Sequence, residues 1–140
     1  MDPPQPPLNI LLVDDDEVDA ITVKRAFSKA KLPYHLTVVR NGIEALELLR
    51  GGTFAAERRL VLLDIHMPRM NGIEFLREVR ADPKLQKLTI VMMTTSSEES
   101  DRIEAYQLNV AGYVIKPVTF QALETIVATL SSYWKLMQFP

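Results

Sequence analysis

Apolar runs alternate with helical patterns along this 140-residue chain, unit after unit. Leu8-Asn9-Ile10-Leu11-Leu12-Val13 reads as a buried strand. From Asp16 or Glu17 to about Ala30, Val18, Ile21, Thr22, Phe27 and Ala30 recur with a helical period, and Pro33 breaks the pattern. His35 to Val39 is β-branched and apolar and predicts a second strand. Asn41-Gly42 is a turn signal feeding a helix rather than a hairpin, because Ile43, Leu46 and Leu49 follow at helical spacing; Gly51-Gly52 ends that helix. The continuous run Leu60-Val61-Leu62-Leu63 is what a central parallel strand requires. A loop from Ile65 to Asn71 leads to a helix opened by Gly72, with Ile73, Leu76 and Val79 inward, closed at Asp82-Pro83. Leu88 to Met93 gives a fourth strand. Ser97 to Leu108 gives a fourth helix, with Ser96 or Ser97 as its cap. Gly112 turns the chain into the short strand Tyr113-Val114-Ile115, and Thr119 caps a last helix from Phe120 to about Met137.

Five β–α units predict an α/β fold: a (βα)5 doubly wound parallel sheet covered on both faces, of the flavodoxin-like kind with strand order 2-1-3-4-5. No long linker or internal repeat interrupts it. A Pro-rich lead-in over residues 1–7 and one domain over residues 8–140 are therefore expected. In such folds ligands bind at the carboxyl ends of the strands. The residues just past strands one, three, four and five are Asp14 and Asp15, then Asp64, then Thr94 and Thr95, then Lys116.

That set is costly without a cation, since adjacent carboxylates at the mouth of a core strand repel each other. Hard oxygen ligands suit Mg2+. The competing reading of the acidic run is that Asp15 or Asp16 caps the first helix. No Gly-rich phosphate turn follows the first strand, no Gly-Lys-Ser/Thr loop occurs, and no serine sits in a nucleophile elbow. A carboxylate can attack phosphorus to give an acyl phosphate, a metal can offset the repulsion between the oxygens, and a lysine can bind a phosphoryl oxygen as a point charge. Asp64, on the central strand between the acidic pair and Lys116, is the expected nucleophile. Asp15 is the expected main metal carboxylate, with Asp14 sharing the site directly or through water.

Composition narrows the partners. The formal charge is −2 and the pI about 5.7, with Lys and Arg dispersed, which excludes a nucleic-acid surface. Cysteine is absent, so disulfides and thiolate metal sites are excluded, in keeping with a cytoplasmic setting. No stretch has the apolar length to cross a bilayer, and the first residues, Met1-Asp2-Pro3-Pro4-Gln5-Pro6-Pro7, lack the features of a signal peptide. No membrane association is expected.

Four segments together resemble the receiver domain of two-component response regulators: Ile10 to Asp16, Leu62 to Gly72, Val91 to Ser96 and Gly112 to Pro117. The resemblance spans about Leu8 to Leu130. It implies that Asp64 takes a phosphoryl group from a histidine of a sensor kinase. It also implies that Asp14, Asp15 and Asp64, with the backbone carbonyl of His66, hold Mg2+, and that Lys116 pairs with the phosphoryl group. Thr94 would move to bond it while Tyr113 changes rotamer, the face built from the fourth helix, fifth strand and fifth helix would respond, and the Lys116-Pro117 peptide would be cis. Such a protein promotes its own phosphorylation and slow dephosphorylation rather than acting as a conventional enzyme.

Other residues receive plainer readings: Asp16 as helix cap, Asp19 as solvated surface, His35 as a partly exposed strand residue, and Met67, Met92 and Met93 as packing residues. The His66 side chain is expected to edge the pocket, where it and Ser96 bear on acyl-phosphate lifetime. The resemblance implies that Thr95, beside the switch threonine, guards access to the phosphorylated carboxylate. Past the fifth helix no output module is recognisable, so output is expected through binding or onward transfer. Leu130, Tyr133, Trp134, Met137 and Phe139 suggest a homodimer contact, with residues 130, 134 and 137 on one helical face. The start Asp14-Asp15-Asp16-Glu17, together with Leu32 to His35, Thr94 to Ser96 and Tyr133 to Pro140, resembles the single-domain regulators paired with bacterial phytochrome kinases. An intermediate phosphoryl carrier and a phosphorylation-independent scaffold are the alternatives. A metal-dependent phosphatase of similar topology is disfavoured, because His66 stands where its acid–base carboxylate would be.

Overall fold

A strand with all six residues buried belongs inside a sheet, and Leu8–Val13 (β1) lies there. It pairs in parallel with Tyr34–Val39 (β2) on one side and Arg59–Leu63 (β3) on the other. Thr89–Thr94 (β4) and Gly112–Ile115 (β5) extend the sheet, also in parallel. The order is β2-β1-β3-β4-β5, the expected doubly wound arrangement. The helices are Glu17–Lys29 (α1), Gly42–Arg50 (α2), Gly72–Ala81 (α3), Glu99–Gln107 (α4) and Phe120–Trp134 (α5). This computed structural model describes residues 7–29, 33–55, 57–116 and 119–134, with 130–134 by backbone alone.

Side chains alternate across a strand, so the buried strands feed two cores. Leu11, Val13, Val61, Leu63, Ile90 and Met92 face α2 and α3, meeting Leu46, Leu49, Phe75, Leu76 and Val79. Leu8, Ile10, Leu12, Leu60, Leu62, Val91 and Met93 face α1 and α5, meeting Val23, Phe27, Leu123 and Val127. Met92 and Met93 are packing residues on opposite faces, and Met67 packs against the first core. Each fully buried Leu, Ile or Phe contributes roughly 1.5–3 kcal/mol of transfer free energy.

The apolar residues that give α1 its period do not all face inward, although Phe27 does. Val18 and Ile21 are 69% and 66% exposed, while Val23, Ala26 and Phe27 are buried. Both sets have helical spacing, so periodicity found the helix without choosing its face. Small Ala26 and large Phe27 settle onto the sheet, leaving the β-branched pair outside. His35 is exposed on β2 as expected.

The tetrapeptide Asn-Gly-Ile-Glu occurs twice, at 41–44 and 71–74, and each copy starts a helix. Asn41 accepts from the Glu44 amide at 2.9 Å. Asn71 accepts from the Glu74 amide at 2.9 Å, and Glu74 accepts from the Asn71 amide at 3.1 Å, a full capping box. Thr119 accepts from the Ala122 amide at 3.1 Å, the expected cap of α5. The expected cap of α4 is not formed. The helix begins at Glu99 after Glu98, with no side-chain cap bond; Ser96 stands two residues ahead of Glu98, its hydroxyl donating to Asp101 at 2.7 Å and accepting from the Glu98 amide at 3.4 Å.

Gly72 fixes the approach of α3 to the end of β3. Its amide donates to the Ile65 carbonyl at 3.0 Å, and an added Cβ would lie 2.2 Å from the Asp64 carbonyl oxygen and 2.9 Å from the Ile65 Cα. Both obstacles are backbone and cannot rotate away. Gly72→Ala is therefore expected to destabilise the fold by about 1–3 kcal/mol, as overpacking does, and to displace Asp64. Denaturant melts of the two proteins check this; an unchanged midpoint would show that the backbone yields freely.

Candidate functional site

The registers Val13↔Leu63 and Thr94↔Ile115 set the next residue of each strand side by side. Asp14 and Asp64 leave adjacent strands together, with the Asp64 amide donating to the Val13 carbonyl at 3.0 Å. Lys116 leaves β5 beside Thr94, its amide donating to the Thr94 carbonyl at 2.8 Å. Asp14, Asp15 and Asp64 each offer a carboxylate oxygen, all within 4.8 Å of one another. Asp14 and Asp64 are buried, whereas Asp15 is exposed at the mouth. Two buried carboxylates and one facing outward form a hard-oxygen set that fits a divalent ion able to keep some of its water.

The Lys116 ammonium lies among the carboxylates. Its Nζ donates to Asp14 Oδ2 at 2.7 Å, to Asp19 Oδ2 at 2.5 Å and to Asp64 Oδ2 at 3.2 Å. The expectation for Asp19 is thus overturned: it is a partner of Lys116 rather than solvated surface. The missed signal is spacing, for Asp19 follows Asp15 by four residues and the first turn of α1 carries it back over the strand ends. Asp16 does the expected work of a cap, accepting from the amides of Val18 at 2.8 Å and Asp19 at 3.3 Å.

Burial raises the Asp14 carboxyl from 3.8 to about 6, although the Lys116 hydrogen bond, the Asp16 amide and the Lys116 charge all oppose the rise. For Lys116, burial disfavours the ammonium, but hydrogen bonds to Asp14 and Asp19 and the charges of Asp14 and Asp64 outweigh it, so its pKa is raised. Lys116 remains an ammonium at any physiological pH.

Beyond the carboxylates, Asp64 Oδ1 accepts from the His66 amide at 3.3 Å, and the His66 side chain is exposed at the edge. Thr94 is fully buried, its hydroxyl accepting from the Ser96 amide at 3.3 Å. Ser96 is a junction that sequence reasoning treated only as a cap or an edge residue. Besides Asp101, it engages Tyr113, whose hydroxyl donates to the Ser96 carbonyl at 2.9 Å. Thr95 is exposed beside it. The proposed dimer residues fall elsewhere. Leu130, Tyr133 and Trp134 lie on the α5 backbone with side chains outside the described residues. Met137, Phe139 and Pro117, hence the Lys116-Pro117 peptide, lie wholly outside them.

An acidic set with a reaching lysine, at the carboxyl edge of a five-stranded parallel sheet, defines a class, and the match to the response regulator receiver domain model over residues 10–128 agrees with it. The chain belongs to the response regulator receiver domain family. It is 34% identical over 130 residues to the probable methanogenesis regulatory protein FilR2 of Methanothrix harundinacea, covering 91% of this chain and 84% of that one. It is 32% identical over 136 residues to response regulator Rcp1 of Synechocystis, covering 95% and 92%. The crystal structure of the phosphorylated cyanobacterial phytochrome response regulator RcpA superposes with a TM-score of 0.83 at 32% identity, covering 96% of this chain and 99% of that one. The Mn2+-bound form of Rcp1 gives 0.81 at 31% identity, with the same coverage. No helix among the described residues is long and apolar enough to cross a membrane.

The Asp14 environment makes a pH-dependent statement. Its folded pKa, about 6, lies above the ordinary 3.8, so whatever its ionisation costs the fold is absent below about 4, grows between 4 and 6, and is constant above. In chelator-treated protein, Asp14→Asn is expected to gain stability relative to the parent as pH rises from about 4 to about 6. The gain should shrink as pH falls below 6. Urea melts across this range check both the sign and the slope; a gain independent of pH would place the cost elsewhere.

Proposed function

We propose that this receiver domain is a phosphoryl-accepting switch, with Asp64 the acceptor and a sensor histidine kinase, of the phytochrome type, the donor. The observation that carries the reading is the convergence of Asp64 with Asp14, Asp15 and Lys116 at one strand mouth. A carboxylate oxygen of Asp64 attacks phosphorus, an O–P bond forms, the P–N bond of the donor phosphohistidine breaks, and the imidazole leaves with that electron pair. Asp14, Asp15 and Asp64, with the His66 backbone carbonyl, would hold Mg2+, which when bound offsets negative charge between the attacking and phosphoryl oxygens. Lys116 supplies a fixed ammonium for a phosphoryl oxygen, while the exposed Asp15 and His66 edge the opening through which the donor arrives.

Thr94 is the expected responder. Its hydroxyl accepts from the Ser96 amide at 3.3 Å and can turn its own hydrogen toward a phosphoryl oxygen, and Ser96 in turn carries Tyr113 and Asp101. A new acceptor at Asp64 biases this chain of contacts, a population shift between two arrangements. The phytochrome partner is supported by the likeness to RcpA, and a cytoplasmic site follows from such a partner. FilR2 points to no particular kinase. Self-association through the C-terminal part of α5 is supported by the apolar residues Leu130, Tyr133 and Trp134 along that helix.

Incubation with a small-molecule phosphodonor should label the parent only when Mg2+ is present, and Asp64→Asn should remain unlabelled under both conditions. Labelling of the variant, or of the parent in chelator, would remove Asp64 or the metal from the reaction. A second measurement addresses association: size determined over a range of protein concentrations should rise for the parent and less for Trp134→Ala. Identical curves would exclude Trp134 from the contact.

A further inference from the structure

Three carboxylates from three elements saturate the three N–H donors of Lys116, and they are not equivalent. The ammonium lies nearest Asp19 on α1, at 2.5 Å, next Asp14 after β1, at 2.7 Å, and farthest from Asp64 after β3, at 3.2 Å. Asp14 and Asp64 belong to the carboxylate set that fits a divalent ion, whereas Asp19 does not. The Lys116 side chain is only 8% exposed, so an ammonium that loses one carboxylate partner has little water to turn to. Its remaining partners would be the oxygens a metal needs.

We infer that Asp19 is a positioning residue, which holds the Lys116 ammonium toward the first turn of α1 and so keeps Asp14 and Asp64 open to the metal. The inference rests on the proposed metal-assisted acceptor chemistry. Asp19 touches neither metal nor phosphoryl group; it acts through Lys116. Lysine and a divalent cation compete for the same oxygens, and Asp19 decides how strongly the lysine competes. Two effects add when its charge is removed. Lys116 tightens on Asp14 and Asp64, and the site loses a distant negative charge. Only the first depends on Lys116.

A double-mutant cycle read by Mg2+ titration calorimetry, without any phosphodonor, separates the two. Asp19→Asn preserves shape and hydrogen-bonding capacity while removing charge, and is expected to weaken Mg2+ binding about fivefold, a little under the tenfold that 1.4 kcal/mol represents. In a Lys116→Met background the same substitution is expected to change affinity by less than about twofold, the residue of a screened through-space charge. Thermal melts confirm folding of each variant, and Lys116→Gln provides a second background should the Met variant unfold. An equal loss in both backgrounds, or none in the parent background, would overturn the role of Asp19. Failure of the parent itself to bind Mg2+ would instead overturn the metal reading on which it stands.

Discussion

One ammonium stands against four carboxylates at the mouth of the sheet, and the rest of the site is arranged around that imbalance. Lys116 meets Asp14, Asp19 and Asp64 directly, and Asp15 completes the acidic set at the surface. Without a further cation the group carries net negative charge in a largely desolvated place. Burial of Asp14 makes the cost visible, since its carboxyl holds a proton up to about pH 6 despite the lysine beside it. A site in this condition favours divalent cations and then anions held by them, the sequence of events that phosphoryl transfer requires.

The fold keeps this arrangement rigid by hiding its supports. Every residue of β1 is buried, and so are Asp64 and Ile65 where β3 ends. Gly72 lets α3 pack against the Asp64 carbonyl, and the Asn71–Glu74 capping box fixes where that helix starts. Asp64, the proposed acceptor, is thus held by backbone on both sides. The β4–α4 segment is built differently. Its contacts run through the Ser96 hydroxyl to Asp101 and the Tyr113 hydroxyl to the Ser96 carbonyl, and α4 lacks a side-chain cap. Bonds of that kind are individually modest. A rigid acceptor therefore abuts a segment that small free-energy changes can rearrange.

Much of this was legible in the residues. Buried strands announce themselves by unbroken apolar runs, such as Leu60 to Leu63, and the topology then brings Asp14, Asp64, Thr94 and Lys116 to one edge without any detailed contact being known. What was not legible depended on choices that periodicity leaves open. Val18 and Ile21 stand three residues apart and Val23 and Phe27 four, both helical spacings, and only packing against the sheet decides which pair is buried. Asp19 looked like one surface acid among several because its partner lies 97 residues away in the chain. Ser96 looked like a helix cap because Ser followed by acidic residues usually is one, yet the helix starts only at Glu99, and the Ser96 hydroxyl donates instead to Asp101.

These misreadings share a physical cause that bears on how the site works. Asp19 and Ser96 are short polar side chains whose local options, surface hydration or a cap, are displaced by partners brought near only by tertiary structure. Asp19 ties the start of α1 to Lys116, and Ser96 ties the start of α4 to Tyr113 on β5. The two helix entrances flanking the pocket are therefore linked to the site. A phosphoryl group on Asp64 would compete with Asp19 for Lys116 and would accept from the Thr94 hydroxyl, whose oxygen is bonded to the Ser96 amide. A single charge change at the acceptor would then be felt at α1 and at α4, while the buried strands between them stay in place.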